Sequence, residues 1–320
     1  MPVRIKEPVI SRENDIFDVN RLSPSGINKM LECWFKFACI YILRIILPGF
    51  IWLTSGNAGH RAQEGNNLER VNTGSYFNKR TLDDYVRECF AKQLEMDFEE
   101  NGGILYLGET DNEIRAEQKQ HEEFLREGLK SYLPEARKLE PVRVEKPWRI
   151  DFKGKDFYLT GISDLEAIDI SKNEDKTILD YKFKGRRLNR DVVARLQSQQ
   201  GPPDIAMTLY QIAAKNRGWN PDQARLDVIP RTKDPSPQIA DFVIPPEHEA
   251  WVLKDILFPY IEGPFGLKAR LAMINEEPTP SSLIKLFPPR PQYYVGQPGR
   301  FCGHGKCEYA DLCMKELNKL

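Results

Sequence analysis

The chain has 320 residues and a mass of 37.0 kDa, enough for one large domain or two small ones with a core that needs no staples. Its 46 Lys and Arg against 47 Asp and Glu mean that any contact with nucleic acid must come from a local basic patch and not from the overall field. Six cysteines, with no secretory-signal pattern in the polar, charged segment 1–20, predict a reducing cytoplasmic setting in which thiols serve metal or nothing, and argue against disulfides.

In chain order, Ser23 and Ser25 are N-cap candidates for "LSPSGINKMLECWFKFACIYILRII", whose apolar spacing predicts one amphipathic helix with Cys33 inside it. The most hydrophobic stretch, 38–53, is shorter than the roughly 20 apolar residues of a membrane span and contains Arg44 and Pro48. It predicts a buried helix ending near Pro48, then a short apolar segment, and no membrane partner. "TSGNAGHRAQEGNNLERV" reads as a turn through Gly56 and Asn57 followed by a helix, with His60 and Glu64 one turn apart on one face. Residues 81–139, rich in Glu, Lys, Leu and Phe, predict two or three solvent-bathed helices, so that 1–140 is mainly helical.

The pattern then changes. "VRVEKPWRI", "DFYLTGISDLEAI", "KTILDYKFK", "ARLDVIPRT" and "PQIADFVIP" are β-rich runs bounded by charged or Pro-containing turns. Between the third and fourth lies a segment with helical pattern on both sides of Gly201-Pro202-Pro203. The order β-β-β-α-β-β predicts an α/β core over 141–280 with a crossover helix. Residues 247–275 read as a further helix, and 281–320 as a Pro-rich connection leading to a cysteine cluster.

Two of these strands carry carboxylates inside apolar runs. Alternation along a strand sends Asp180 and Lys182 to one face and Tyr181 to the other. Asp164, on the hairpin partner, brings a second carboxylate to the same edge. Converging carboxylates repel unless a cation lies between them, and a divalent metal with oxygen ligands is the usual solution. Lys182 beside such a site suits phosphodiester chemistry.

Four segments together resemble the PD-(D/E)XK nuclease superfamily, and within it the RecB-like exonucleases with a cysteine cluster, a group that includes the AddB nuclease domain and the nucleases of CRISPR adaptation. "LSPSGINKMLECWFKF" looks like the opening helix with its first cluster cysteine. "SGNAGHRAQE" looks like the G-x-x-x-H helix, and "LTGISDLEAI" and "ILDYKFKG" look like the two catalytic strands. The resemblance implies a restriction-endonuclease-like fold with a central mixed sheet. It also implies Asp164, Asp180 and Lys182 as catalytic residues, and a Mg²⁺ or Mn²⁺ site formed by His60, Asp164, Asp180 and the main-chain carbonyl of Tyr181. Glu64, one turn on, is either a partner that orients His60 or an exposed helix carboxylate. The implied activity is a metal-dependent exonuclease on single-stranded DNA ends, in recombination, repair or phage or CRISPR DNA processing. The alternative is a nuclease-fold binding or processing subunit working with a recombination or CRISPR-adaptation partner. The basic run Lys184, Arg186, Arg187 and Arg190, with Tyr210 on the following helix, is placed to track a DNA backbone.

Cys302, Cys307 and Cys313 are close enough in sequence to converge on one ion or cluster. The resemblance supplies Cys33 as the fourth ligand, which favours a [4Fe-4S] cluster packing the C-terminus against the first helix. His304 in that place would favour zinc. Three features depart from the family: Trp34 follows the first cysteine where many relatives have proline, the gap from Cys302 to Cys307 is long, and the glutamine expected one turn before Tyr210 is missing. Gln199, Gln200 and Gln211 lie out of register. Cys39 and Cys89, in apolar helical contexts, read as ordinary buried thiols.

Overall fold

A computed structural model describes residues 9–10, 18, 20–99, 103–185, 205–274, 278–288 and 309–317. Helix α1 (Pro24–Glu32) starts where the Ser23 hydroxyl accepts the Gly26 N–H at 3.1 Å, with Pro24 in the first turn where its missing N–H costs nothing. It stops at Glu32. Cys33 is extended (φ −163°, ψ 118°), and its thiolate or thiol sulfur caps the next turn, α2 (Trp34–Phe37), by accepting the Lys36 N–H at 3.5 Å. The single helix expected here is therefore broken at Cys33, because that residue serves as a cap and not as a link. A π-helical turn, Ala38–Ile42, follows, and the chain has left the helix before Pro48.

Helix α3 (Ile51–Thr73) then runs unbroken to a left-handed Gly74, φ 77°. Gly56 and Asn57, read from sequence as a turn, lie within it. Its buried face is small and polar (Thr54, Ser55, Ala58, Gly59, Ala62, Gln63, Asn66, Asn67), so packing sustains a helix that hydrophobic periodicity hides. Two more helices fill the 81–139 region: α4 (Lys79–Glu99) and α5 (Asp111–Ala136), the latter opened by a Thr110–Glu113 capping box.

The β-rich runs form strands in the expected order. After β1 (Arg21–Leu22) come β2 (Leu139–Asp151), β3 (Tyr158–Asp169), β4 (Asp175–Lys184), β5 (Gln223–Pro230) and β6 (Gln238–Phe242). β2 pairs with β3, β3 runs antiparallel to β4, β4 parallel to β5, and β5 antiparallel to β6, a mixed sheet. The parallel step needs a crossover, and helix α6 (Ile205–Asn216) is its described part. One face of the sheet (Leu165, Ala167, Leu179, Tyr181, Phe183, Ile229) packs against α3, α4 and α5. The other (Ile178, Ala224, Leu226, Val228) packs against Met207 and Ala214 of α6. Each such fully buried Leu, Ile or Phe contributes about 1.5–3 kcal/mol.

By compactness the chain falls into two units. One unit takes Pro48–Trp148 and Gly161–Glu249; the other takes the described residues of Glu7–Leu47, Arg149–Thr160 and Ala250–Leu320. In the second unit β1 pairs in parallel with Tyr158 and Leu159. The helix expected over 247–275 is instead a series of pieces: α7 (Pro246–Trp251), a π-helical stretch Val252–Leu257, α8 (Phe258–Glu262) and α9 (Leu267–Leu271). Gly263 and Gly266, both extended, interrupt it. Helices α10 (Pro280–Leu286) and α11 (Ala310–Leu317) complete the unit. Among the described residues, no helix is long and apolar enough to cross a membrane.

Candidate active site

The ladder between β3 and β4 runs from Asp169↔Asp175 to Leu165↔Leu179 and stops there. Where the strands part, the Asp164 carboxylate takes the Tyr181 N–H at 2.7 Å. This satisfies a donor that the ladder no longer pairs. On β4, Lys182 Nζ lies 2.5 Å from Asp180 Oδ2, so the two side chains share a face as alternation requires. The Tyr181 ring points the other way into the core, 2 % exposed.

Helix α3 brings His60 to this point, with Nδ1 at 3.5 Å from Asp164 Oδ2. The approach depends on Gly59. A Cβ there would fall 2.6–2.7 Å from the Phe183 ring, whereas Gly56, the glycine of the G-x-x-x-H pattern, would have nothing within 4 Å. The His60 ring meets Phe183 edge-on at 5.1 Å between centroids.

A residue unforeseen from sequence completes the cluster. Glu145 on β2 offers a carboxylate oxygen that lies, with ligand atoms of His60 and Asp164, in a group mutually within 4.8 Å. Its backbone has φ 44°, an αL conformation costly for a non-glycine residue and frequent at functional sites. The only hint in the sequence is a carboxylate two residues before Pro147, a residue that cannot continue a ladder and marks a strand irregularity. Asp180 is not one of the three converging residues; it is tied to Lys182 beside them.

The electrostatics suit a divalent cation. Burial first, then the charges of Asp164, Glu64 and Asp180, push Glu145 up to about 8. Burial raises Asp164 to about 6, against the opposing hydrogen bond from Tyr181 and the charge of Lys182. Burial lowers His60 to about 4, with Asp180 opposing and Lys182 and Arg231 assisting. At neutral pH the imidazole is therefore uncharged with a lone pair to give, and its contact with Asp164 is dipolar rather than an ion pair. One nitrogen and two carboxylate oxygens, the latter held too close to ionise together, make a donor set suited to a divalent ion such as Mn²⁺, which accepts imidazole more readily than Mg²⁺ does.

Residues 21–314 match the family model of the PD-(D/E)XK nuclease superfamily. The chain belongs to that superfamily. Its mixed sheet and helical N-terminal part are those of the restriction-endonuclease-like core, and nucleases of this superfamily typically use Mg²⁺ or Mn²⁺. Among curated proteins, none matches the chain. A crystal structure of a Eubacterium rectale protein provisionally named an exonuclease is similar at 14 % identity and TM-score 0.38, covering 84 % of this chain and 93 % of its own.

The other expected site residues are distributed as follows. Lys184 is exposed at the end of β4. Tyr210 packs beside the α6 face of the sheet, edge-on to Trp148 at 6.1 Å. Gln211 donates to Ile244 O at 2.8 Å and to Glu249 at 2.6 Å, so it serves the fold. Arg186, Arg187, Arg190, Gln199 and Gln200 lie outside the described residues, as do Cys302, His304 and Cys307. Cys33 and Cys313 both pack on one cluster built from Phe35, Cys39, Ile45, Ile284 and Tyr309, with the Tyr309 hydroxyl donating to Ile45 O at 2.9 Å. Cys39 and Cys89 are buried thiols.

Proposed function

We propose that the protein is a metal-dependent deoxyribonuclease that hydrolyses phosphodiester bonds from single-stranded ends. The observation that carries the reading is the convergence of His60, Glu145 and Asp164 on one point, next to a lysine anchored by Asp180. A divalent ion held there supplies Lewis acidity toward a phosphate oxygen and a more acidic water. His60 gives it a neutral nitrogen, Glu145 and Asp164 give oxygens, and Asp180 and the Tyr181 carbonyl are the further oxygens on β4. The Tyr181 N–H keeps Asp164 in one orientation. Lys182, fixed by Asp180, places a positive donor where charge develops on the phosphate. Lys184, with Arg186, Arg187 and Tyr210, contacts the DNA backbone without reading its sequence.

In the same reading, Cys33 and Cys313 are two of four ligands of a [4Fe-4S] cluster, with Cys302 and Cys307. Their shared packing cluster supports this, as does the Lys36 N–H given to the Cys33 sulfur, since such hydrogen bonds stabilise thiolate ligands. The cytoplasm and a DNA-recombination or CRISPR-adaptation setting complete the proposal.

The test is digestion of end-labelled single- and double-stranded DNA with Mn²⁺ or Mg²⁺ by anaerobically purified protein. The reading expects metal-dependent shortening of the single strand, with Lys182→Ala losing about 10²–10³-fold. Equal digestion by both proteins, or none by either, would contradict it. Visible absorption and iron content that vanish in Cys313→Ser check the cluster.

A further inference from the structure

Tyr181 is bonded to a residue of the candidate site through its backbone and to two residues of helix α3 through its side chain. Its N–H holds Asp164 at 2.7 Å. On the face of the sheet that packs against α3, its hydroxyl accepts Asn67 Nδ2 at 3.1 Å and Gln63 Nε2 at 3.4 Å, and Gln63 Nε2 also reaches Asn67 Oδ1 at 3.0 Å. All three side chains are buried, at 0 %, 1 % and 2 % exposure for Gln63, Asn67 and Tyr181. Gln63 and Asn67 follow His60 on α3 at i+3 and i+7, one stripe of the helix. The amides that grip Tyr181 thus sit on the stripe that carries the histidine.

Below the clasp, helix and strand meet through an apolar contact, Gly59 against the Phe183 ring. Such an apolar contact tolerates sliding, because van der Waals packing carries little direction. The opposite end of the contact is stapled by Arg231, whose guanidinium donates to Trp52 O at the start of α3 and to Phe183 O at 3.1 Å. His60 lies between the two polar fastenings.

We propose that the Tyr181 hydroxyl, gripped by Gln63 and Asn67, is a positioning group that sets the His60 imidazole against Asp164, so that one residue fixes both ligands. This rests on the metal-site reading above. Its test is Mn²⁺ titration of the full chain followed by electron paramagnetic resonance. Tyr181→Phe keeps the ring and its edge-on contact with Tyr132, 5.9 Å between centroids, and removes only the oxygen. Expected are a loss of roughly 10-fold in Mn²⁺ affinity and an altered line shape of the bound ion. His60→Ala weakens binding too, and the double variant loses little beyond His60→Ala alone, since both act through the imidazole. Asn67→Ala, which removes the shorter bond, moves affinity in the same direction and serves should Tyr181→Phe fold poorly. A lowered melting temperature with affinity and line shape unchanged, or a loss that adds in full to that of His60→Ala, would overturn the proposal alone. Mn²⁺ uptake by wild type that is insensitive to Asp164→Ala would overturn the metal-site reading, and this inference with it.

Discussion

On strand β3, two carboxylates only two residues apart, Asp164 and Glu166, meet opposite surroundings. Glu166 is completely buried, yet Arg143 Nη1 lies 2.5 Å from one of its oxygens and Arg217 is bound to the other. Asp164, and Glu145 on β2, have no guanidinium or ammonium at ion-pair distance among the described residues; only the imidazole of His60 approaches Asp164. The first arrangement is complete without a ligand. The second holds its protons more tightly, with Glu145 pushed up to about 8 and Asp164 to about 6, burial being the main cause. The buried Glu166 is supplied with cations by the chain itself, whereas Glu145 and Asp164, which the proposed function makes metal ligands, are not.

Breaking the compensated side should have the largest effect. Glu166→Ala strands two guanidiniums, and because both are partly exposed the expected loss is near the low end for a broken buried pair, about 3 kcal/mol. Thermal unfolding would read it, and Mn²⁺ affinity of the folded fraction should stay close to wild type. An equal loss of metal affinity would merge the two sites into one.

The uncompensated side should respond with the opposite sign. Glu145→Gln relieves repulsion in the metal-free protein and should raise its melting temperature at pH 8 by roughly 2–4 °C, while weakening Mn²⁺ binding about 10-fold or more. A drop in metal-free stability would mean that Glu145 is structural.

The pH dependence sharpens the contrast. The folded pKa of Glu145 lies above its ordinary 4.5, so the folded state binds the extra proton between roughly pH 4.5 and 8 and stability falls as pH rises through that window. His60, lowered from 6.5 to about 4, instead costs stability below pH 6.5, but it does so in wild type and variant alike. The melting-temperature difference between Glu145→Gln and wild type should therefore be close to zero at pH 5 and grow toward pH 8, and saturating Mn²⁺, which stabilises wild type more, should offset or reverse it. A difference independent of pH would remove ionisation from the explanation.

The smallest effect separates the two glycines of α3. Gly56→Ala, with open space around it, should gain up to about 1 kcal/mol from helix propensity. Gly59→Ala should lose about 1–3 kcal/mol by forcing α3 off Phe183 and should weaken Mn²⁺ binding as His60 withdraws.

These contrasts also explain what the sequence disclosed. The strand order, the shared face of Asp180 and Lys182 and the opposite orientation of Tyr181 were legible because period-2 alternation is local. The full length of α3 was not, because its buried face is small and polar and two glycine-type signals mimic a turn. Cys33 was misplaced inside a helix because an extended capping residue leaves the hydrophobic period intact on both sides. Glu145 was missed because a left-handed residue in a strand has no sequence signature when it is not glycine, and its partners lie on elements far away in the chain. The interleaving of the two compact units likewise depends on long-range contacts that no window of sequence contains.

The most direct measurement is calorimetric titration of the metal-free protein with Mn²⁺, in parallel with Asp164→Ala, at pH 7.5. Saturable binding by wild type that is lost in Asp164→Ala is the predicted result. Indistinguishable titrations of the two proteins, or no binding by wild type, would contradict the claim that His60, Glu145 and Asp164 form a metal site.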